Sequence, residues 1–181
     1  MAYRNKILKN PGMTIRFLQT ANDTNGELLE MESTYYSNSG EPPVHYHPFQ
    51  TEYFSVLSGE ITVRINNEVR IMKEGESFVL EPGIQHSMWN KSGDTTVLNW
   101  KVMPAMNTET LFEILNGLQK DGRPLRKGIR GLLQISLTAN KFSAVFRLAK
   151  PPFFIQKIIY SILTPFAWLA GYRAVYKEYI D

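Results

Sequence analysis

From residue 14 to residue 102 the chain is cut at short, regular intervals by turn residues, and most of the segments between them alternate apolar with polar side chains. A strand turns successive side chains to opposite faces, so such segments suit sheets with one buried side. The segments are residues 14–19, 28–36, 52–57, 60–65, 69–72, 77–80, 86–90 and 95–102. Leu29 and Met31 alternate with Glu30 and Glu32, and Ile61, Val63 and Ile65 with Thr62 and Arg64. Asn22-Asp23-Thr24-Asn25-Gly26, Ser58-Gly59 and Asn66-Asn67 supply residues that tolerate left-handed backbone, which tight reversals need. Many short strands joined this way predict an antiparallel sandwich or barrel.

All three histidines of the protein lie within this region: His45, His47 and His86. His45 and His47, two residues apart, share one face of a strand and can bind one cation together. Glu52 follows His47 by an odd number of residues and would face the other way along an unbroken strand. Pro48 cannot join a strand ladder, so a hairpin or bulge over Pro48-Phe49-Gln50 is expected to return Glu52 to the histidine side. His86 comes after the turn Pro82-Gly83 and must arrive from a different strand. Three imidazoles and a carboxylate suit one divalent Fe, Mn, Ni, Cu, Co or Zn ion, and not Ca or Mg. With four protein ligands, one or two positions on the ion would stay open to water or substrate. By strand parity Phe54 shares the face of Glu52, and Met88 and Asn90 that of His86. These three are candidates for the pocket wall, with plain core packing as the alternative for each of them.

Two motifs carry a family resemblance. The run Gly40-x4-His45-x-His47-x4-Glu52-x6-Gly59 resembles the first motif of the cupin superfamily, and Gly75 followed by Pro82-Gly83-x2-His86-x3-Asn90 resembles the second. The first is one position short between its glycine and His45, and Glu81 stands where the second usually has a turn residue; neither change touches a ligand. The resemblance covers roughly residues 28–102 and implies a jelly-roll barrel with the metal at its wider mouth, held by His45, His47, Glu52 and His86. It further implies a dioxygenase or isomerase acting on a small organic molecule, with Glu52 also able to accept a proton. A non-catalytic module that binds or senses a small molecule is the alternative, and a purely structural role a third.

The domain expectation is a barrel over residues 1–104 followed by a helical extension over 105–181, packed on the barrel or on a partner subunit. Asn107 or Thr108 can cap a helix carrying Leu111, Phe112, Leu115 and Leu118 that ends near Gly117 or Asp121-Gly122. A basic link over 123–131 follows, then helices over 132–148 and 152–170. Residues 1–104 hold 9 Lys and Arg against 12 Asp and Glu, while 105–181 hold 11 against 5, so the basic character belongs to the extension. Nothing beside the basic link supports nucleic-acid recognition. Residues 153–170 are the most apolar stretch, broken by Lys157 and Pro165, and are expected to pack within the protein or across a subunit boundary, with a helix lying on a membrane as the alternative. The absence of cysteine and of an apolar leader near the N-terminus leads to an expected cytoplasmic location. Exposed sheet edges and the apolar tail lead to an expected homodimer.

Overall fold

The computed structural model describes residues 2–122 and 128–180; residues 123–127 of the basic link lie outside them. Ten strands come first: β1 (Ile7–Asn10), β2 (Met13–Gln19), β3 (Leu29–Tyr35), β4 (His45–Tyr46), β5 (Thr51–Ser58), β6 (Glu60–Ile65), β7 (Glu68–Lys73), β8 (Ser77–Leu80), β9 (His86–Trp89) and β10 (Thr96–Met103). They are followed by α1 (Thr108–Lys120), α2 (Gly128–Lys141), β11 (Arg147–Leu148) and α3 (Phe153–Leu169). Strand alternation does what the pattern requires: in β3, Leu29, Met31, Ser33 and Tyr35 are buried while Glu30, Glu32 and Thr34 are half-buried.

The strands form two antiparallel sheets with the orders β1-β2-β3-β10-β5-β8 and β11-β4-β9-β6-β7. This is the jelly-roll arrangement, and its core, built on Phe17, Leu29, Met31, Phe54, Ile61 and Leu98, is sealed from solvent. Burial of such apolar surface is the main stabilising term. The Ser58-Gly59 reversal joins β5 to β6 in the other sheet, with Gly59 at φ 78°. A Cβ there would meet the Thr95 carbonyl oxygen at 2.9 Å, so strain and collision act together. Gly59→Ala is therefore expected to cost roughly 1–3 kcal/mol, read as a lower urea midpoint with an unchanged slope.

The extension departs from expectation at one informative place. The helix expected over 132–148 is α2, which begins earlier and stops at Lys141, and the chain then turns so that β11 pairs with β4. Arg147 lies opposite Tyr46 and Leu148 opposite His45, and the Ala149 amide donates to the Val44 carbonyl at 2.9 Å. The apolar spacing of Phe142, Val145 and Phe146 fits a helix, but β4 has an open edge whose backbone groups need partners, and that need prevails.

Residues beyond Met103 are tied to the barrel by buried polar contacts as well as by apolar ones. The fully buried Gln50 amide donates to the carbonyls of Pro104 and Ala105 and to the Thr108 hydroxyl. Lys6 meets the buried Glu113 of α1 at 2.6 Å. A second core gathers Leu111, Ile114, Leu118, Phe142, Val145 and Tyr176.

Candidate metal centre

His45 on β4 is paired directly with His86 on β9, and His47 stands just beyond the end of β4. Glu52 belongs to the other sheet, on β5, opposite Leu80 and Val102. The parity of Glu52 is reset over Pro48-Phe49-Gln50 by a crossing from one sheet to the other between Tyr46 and Thr51, in place of a hairpin or bulge. Buried Gln50 anchors the crossing, and the Gly83 amide donates to the His47 carbonyl at 2.8 Å, bringing the Pro82-Gly83 turn against it. Glu52 thus approaches His47 and His86 from the opposite sheet.

Each imidazole is oriented by its outer nitrogen. His45 Nδ1 lies 3.1 Å from the Pro43 carbonyl, His86 Nδ1 3.0 Å from that of Ile84, and His47 Nδ1 2.6 Å from that of Val145 in the extension. A carbonyl only accepts, so each Nδ1 carries a proton, and in the neutral ring the lone pair is then on Nε2. One ligand nitrogen from each of the three rings lies within 4.8 Å of the others. Glu52 Oε2 stands 3.1 Å from His86 Nε2 and 3.4 Å from His47 Nε2, while its Oε1 accepts from the Trp100 indole at 3.0 Å. His47 Nε2 and Glu52 Oε2 are buried without a hydrogen-bond partner.

With the rings neutral, Nε2 and Oε2 would face each other as acceptors and repel, and buried polar atoms without partners are costly. A cation among them removes both penalties. The electrostatics agree: burial, reinforced by His86 and His47, pushes His45 well below the ordinary imidazole range, and burial does the same to His47. For Glu52, burial pushes up, but attraction to His47 and a hydrogen bond with His86, both felt when those rings carry a proton on Nε2, outweigh it and hold the carboxyl at about 2. Burial thus favours the neutral ring at His45 and His47, and Glu52 is ionised; these are the protonation states in which those side chains bind a divalent ion.

Beside these groups is a cavity of about 960 Å³, lined by barrel residues and by α1, α2 and the segment before α3. Its walls are mainly apolar. Phe54 and Met88 line it, and Phe54 also stacks between Phe78 and Trp100, with centroids 4.9 and 5.4 Å away. Asn90 does not line it. Its carbonyl accepts from the Ser92 amide and hydroxyl and its amide donates to the Asp94 carbonyl, so β9 ends at Trp89 and the side chain is used to close the next turn.

Three contributors were not singled out from the sequence. Trp100 holds Glu52, and the burial of alternate residues along β10 is the signal that points it inward. Tyr35 lines the cavity, and burial together with the Glu52 charge pushes its hydroxyl far above the usual phenol range. Phe146 stacks on His45 at 4.7 Å, placed there by the β11–β4 pairing, which no local pattern announces.

Residues 32–101 match the family model described as the cupin domain. An oxidoreductase of Arthrobotrys oligospora is 47% identical over 55 residues, which are 29% of this chain and 21% of that protein, so the match spans about a fifth of this relative's length. The probable oxidoreductase virH of Hypocrea virens is 27% identical over 177 residues, 87% of this chain and 78% of that protein. Among solved structures, an RmlC-like cupin from Shewanella frigidimarina has a TM-score of 0.50 at 21% identity, covering 58% of this chain and 88% of that one. A predicted oxalate decarboxylase from Thermotoga maritima has a TM-score of 0.50 at 17% identity, covering 57% and 99%. At these identities the structural likenesses show the fold alone.

Proposed function

We propose, for a chain that belongs to the cupin superfamily, that His45, His47, His86 and Glu52 hold one divalent transition-metal ion and that the protein is an oxidoreductase acting on a small, largely apolar organic molecule. The observation that carries this reading is the meeting of three histidine ring nitrogens, with the buried and unpartnered His47 Nε2 and Glu52 Oε2 among the surrounding atoms, beside a large apolar cavity. The oxidoreductase names of two relatives support the reaction class.

A bound ion would supply Lewis acidity or electron transfer at its open positions. The protein's own residues do the rest. The carbonyls of Pro43, Ile84 and Val145 fix the tautomer and ring orientation of the three histidines, which raises their basicity toward a cation. Trp100 fixes Glu52 through one oxygen and leaves the other directed at His47 and His86. Glu52 is ionised at neutral pH and so brings the negative charge that a cation among the histidines needs. Tyr35, whose hydroxyl keeps its proton, is suited to donate a hydrogen bond to a substrate oxygen. Phe54, Met88, Phe112 and Phe146 exclude water and accept apolar surface.

Oxygen uptake by the metal-loaded protein, screened against small oxygenated aromatic compounds, tests the reading. Turnover with one of them, lost in a His86→Ala variant, is the expected result. Thermal stabilisation by a compound without product formation would instead assign a binding or sensing role. The depressed pKa values of His45 and His47 make a further prediction. Protons compete with the ion for Nε2, so metal is expected to be retained below the ordinary histidine pKa of ~6.5 and released only as pH falls further. Metal content after dialysis at stepped pH checks this; release centred at or above pH ~6.5 would contradict it.

A further inference from the structure

Helix α3 is amphipathic in the reverse of the usual sense. Its buried residues are Gln156, Tyr160 and Ala167. The Gln156 amide donates to the carbonyls of Leu148 and Pro151 at 2.8 and 2.6 Å, and the Tyr160 hydroxyl donates to Gln156 Oε1 at 3.0 Å. The opposite face carries Phe154, Ile158, Ile162 and Phe166, four residues apart along the helix, and then Trp168 and Leu169. All six are more than half exposed, Leu169 at 87%. A helix whose only neighbour were the barrel would turn this face inward.

Charge indicates what covers it. From residue 122 to residue 177 the sequence contains ten Lys and Arg and no Asp or Glu. Lys157 is exposed within α3, Lys150 precedes the helix and Lys177 follows it. Arg173 lies over the Trp168 ring, 5.8 Å from its centroid. A second copy of the chain placed against this face would bring the same uncompensated positive charge toward itself. An anionic surface is the complementary one.

We propose that the outer face of α3 docks on the surface of an anionic lipid bilayer, with its aromatic and aliphatic residues entering the headgroup boundary and the surrounding lysines and arginines near lipid phosphates and carboxylates. The helix lies in the plane and does not cross: among the described residues no helix is long and apolar enough to span a membrane. Trp168 beside Arg173 is a pairing suited to the interface between water and lipid.

The test is cosedimentation of the full chain with vesicles of phosphatidylcholine alone and with roughly a third phosphatidylserine. Binding is expected to the anionic vesicles, to weaken with added salt, and to fall by about tenfold or more in an Ile158→Ser/Ile162→Ser/Phe166→Ser variant. These positions are exposed, so the variant is expected to keep the melting temperature and metal content of the parent, which separates lost docking from lost folding. No sedimentation with either vesicle would overturn the proposal. Equal binding to both compositions would overturn the anionic partner. A dimer in light scattering that the triple variant dissociates would assign the face to a second copy.

Discussion

Replacing His86 with alanine is expected to lower the affinity for a divalent transition metal by more than ~100-fold, since loss of a mere supporting contact to a ligand already costs 10–100-fold. His86 is 3% exposed, its Nδ1 is held by the Ile84 carbonyl, and its Nε2 faces Glu52 Oε2 at 3.1 Å. Without it two imidazoles and a carboxylate remain, and Glu52 loses the nearer of its two histidine neighbours. Metal titration followed by calorimetry reads the effect, and melting of both proteins in chelator separates it from unfolding. An unchanged stoichiometry and affinity would mean that the ion binds elsewhere.

Phe54→Ala is expected to destabilise the protein by roughly 3–5 kcal/mol, the range for removing a buried aromatic ring. Phe54 is 1% exposed and lies between Phe78 and Trp100. The truncation removes apolar burial and opens a void that β-sheet backbone on either side is too constrained to fill. It also frees Trp100, whose indole holds Glu52, so metal affinity is expected to fall along with stability. Phe54→Leu keeps most of the volume and is expected to cost less than half as much. Equilibrium urea unfolding of both variants checks the ranking, and equal losses would place Phe54 outside the packing that supports the site.

Much of this arrangement is legible in the sequence because its causes are local. Alternation marks β3, β6 and β10; Asn66, at φ 54°, and Gly59 mark two of the reversals; and the two-residue spacing of His45 and His47 survives folding. Family-like spacing adds Glu52 and His86 to them. What escapes is non-local. The crossing between sheets at Pro48-Phe49-Gln50 depends on where Gln50 finds its three partners, all more than fifty residues away. The carbonyl that orients His47 belongs to Val145, and every residue type carries the same carbonyl, so nothing in the sequence marks it. The end of α2 and the strand after it follow from the open edge of β4, and the outward turn of the α3 apolar face follows from Gln156 satisfying backbone carbonyls within the protein. Asn90 shows the limit of parity, since it holds only while a strand continues and β9 ends one residue earlier.

The same contacts tie the extension to the chemistry. Val145 orients His47, Phe146 stacks on His45 and Leu148 pairs with His45, so three residues within a span of four, beyond the first ten strands, close over these histidines.

Anomalous X-ray scattering from crystals of the metal-loaded protein, recorded on both sides of the metal's absorption edge, tests the proposed four-ligand centre most directly. The account predicts a single peak ~2.0–2.2 Å from the Nε2 atoms of His45, His47 and His86 and from Glu52 Oε2. A peak at any other group of side chains, or none at these four in fully loaded protein, would contradict it.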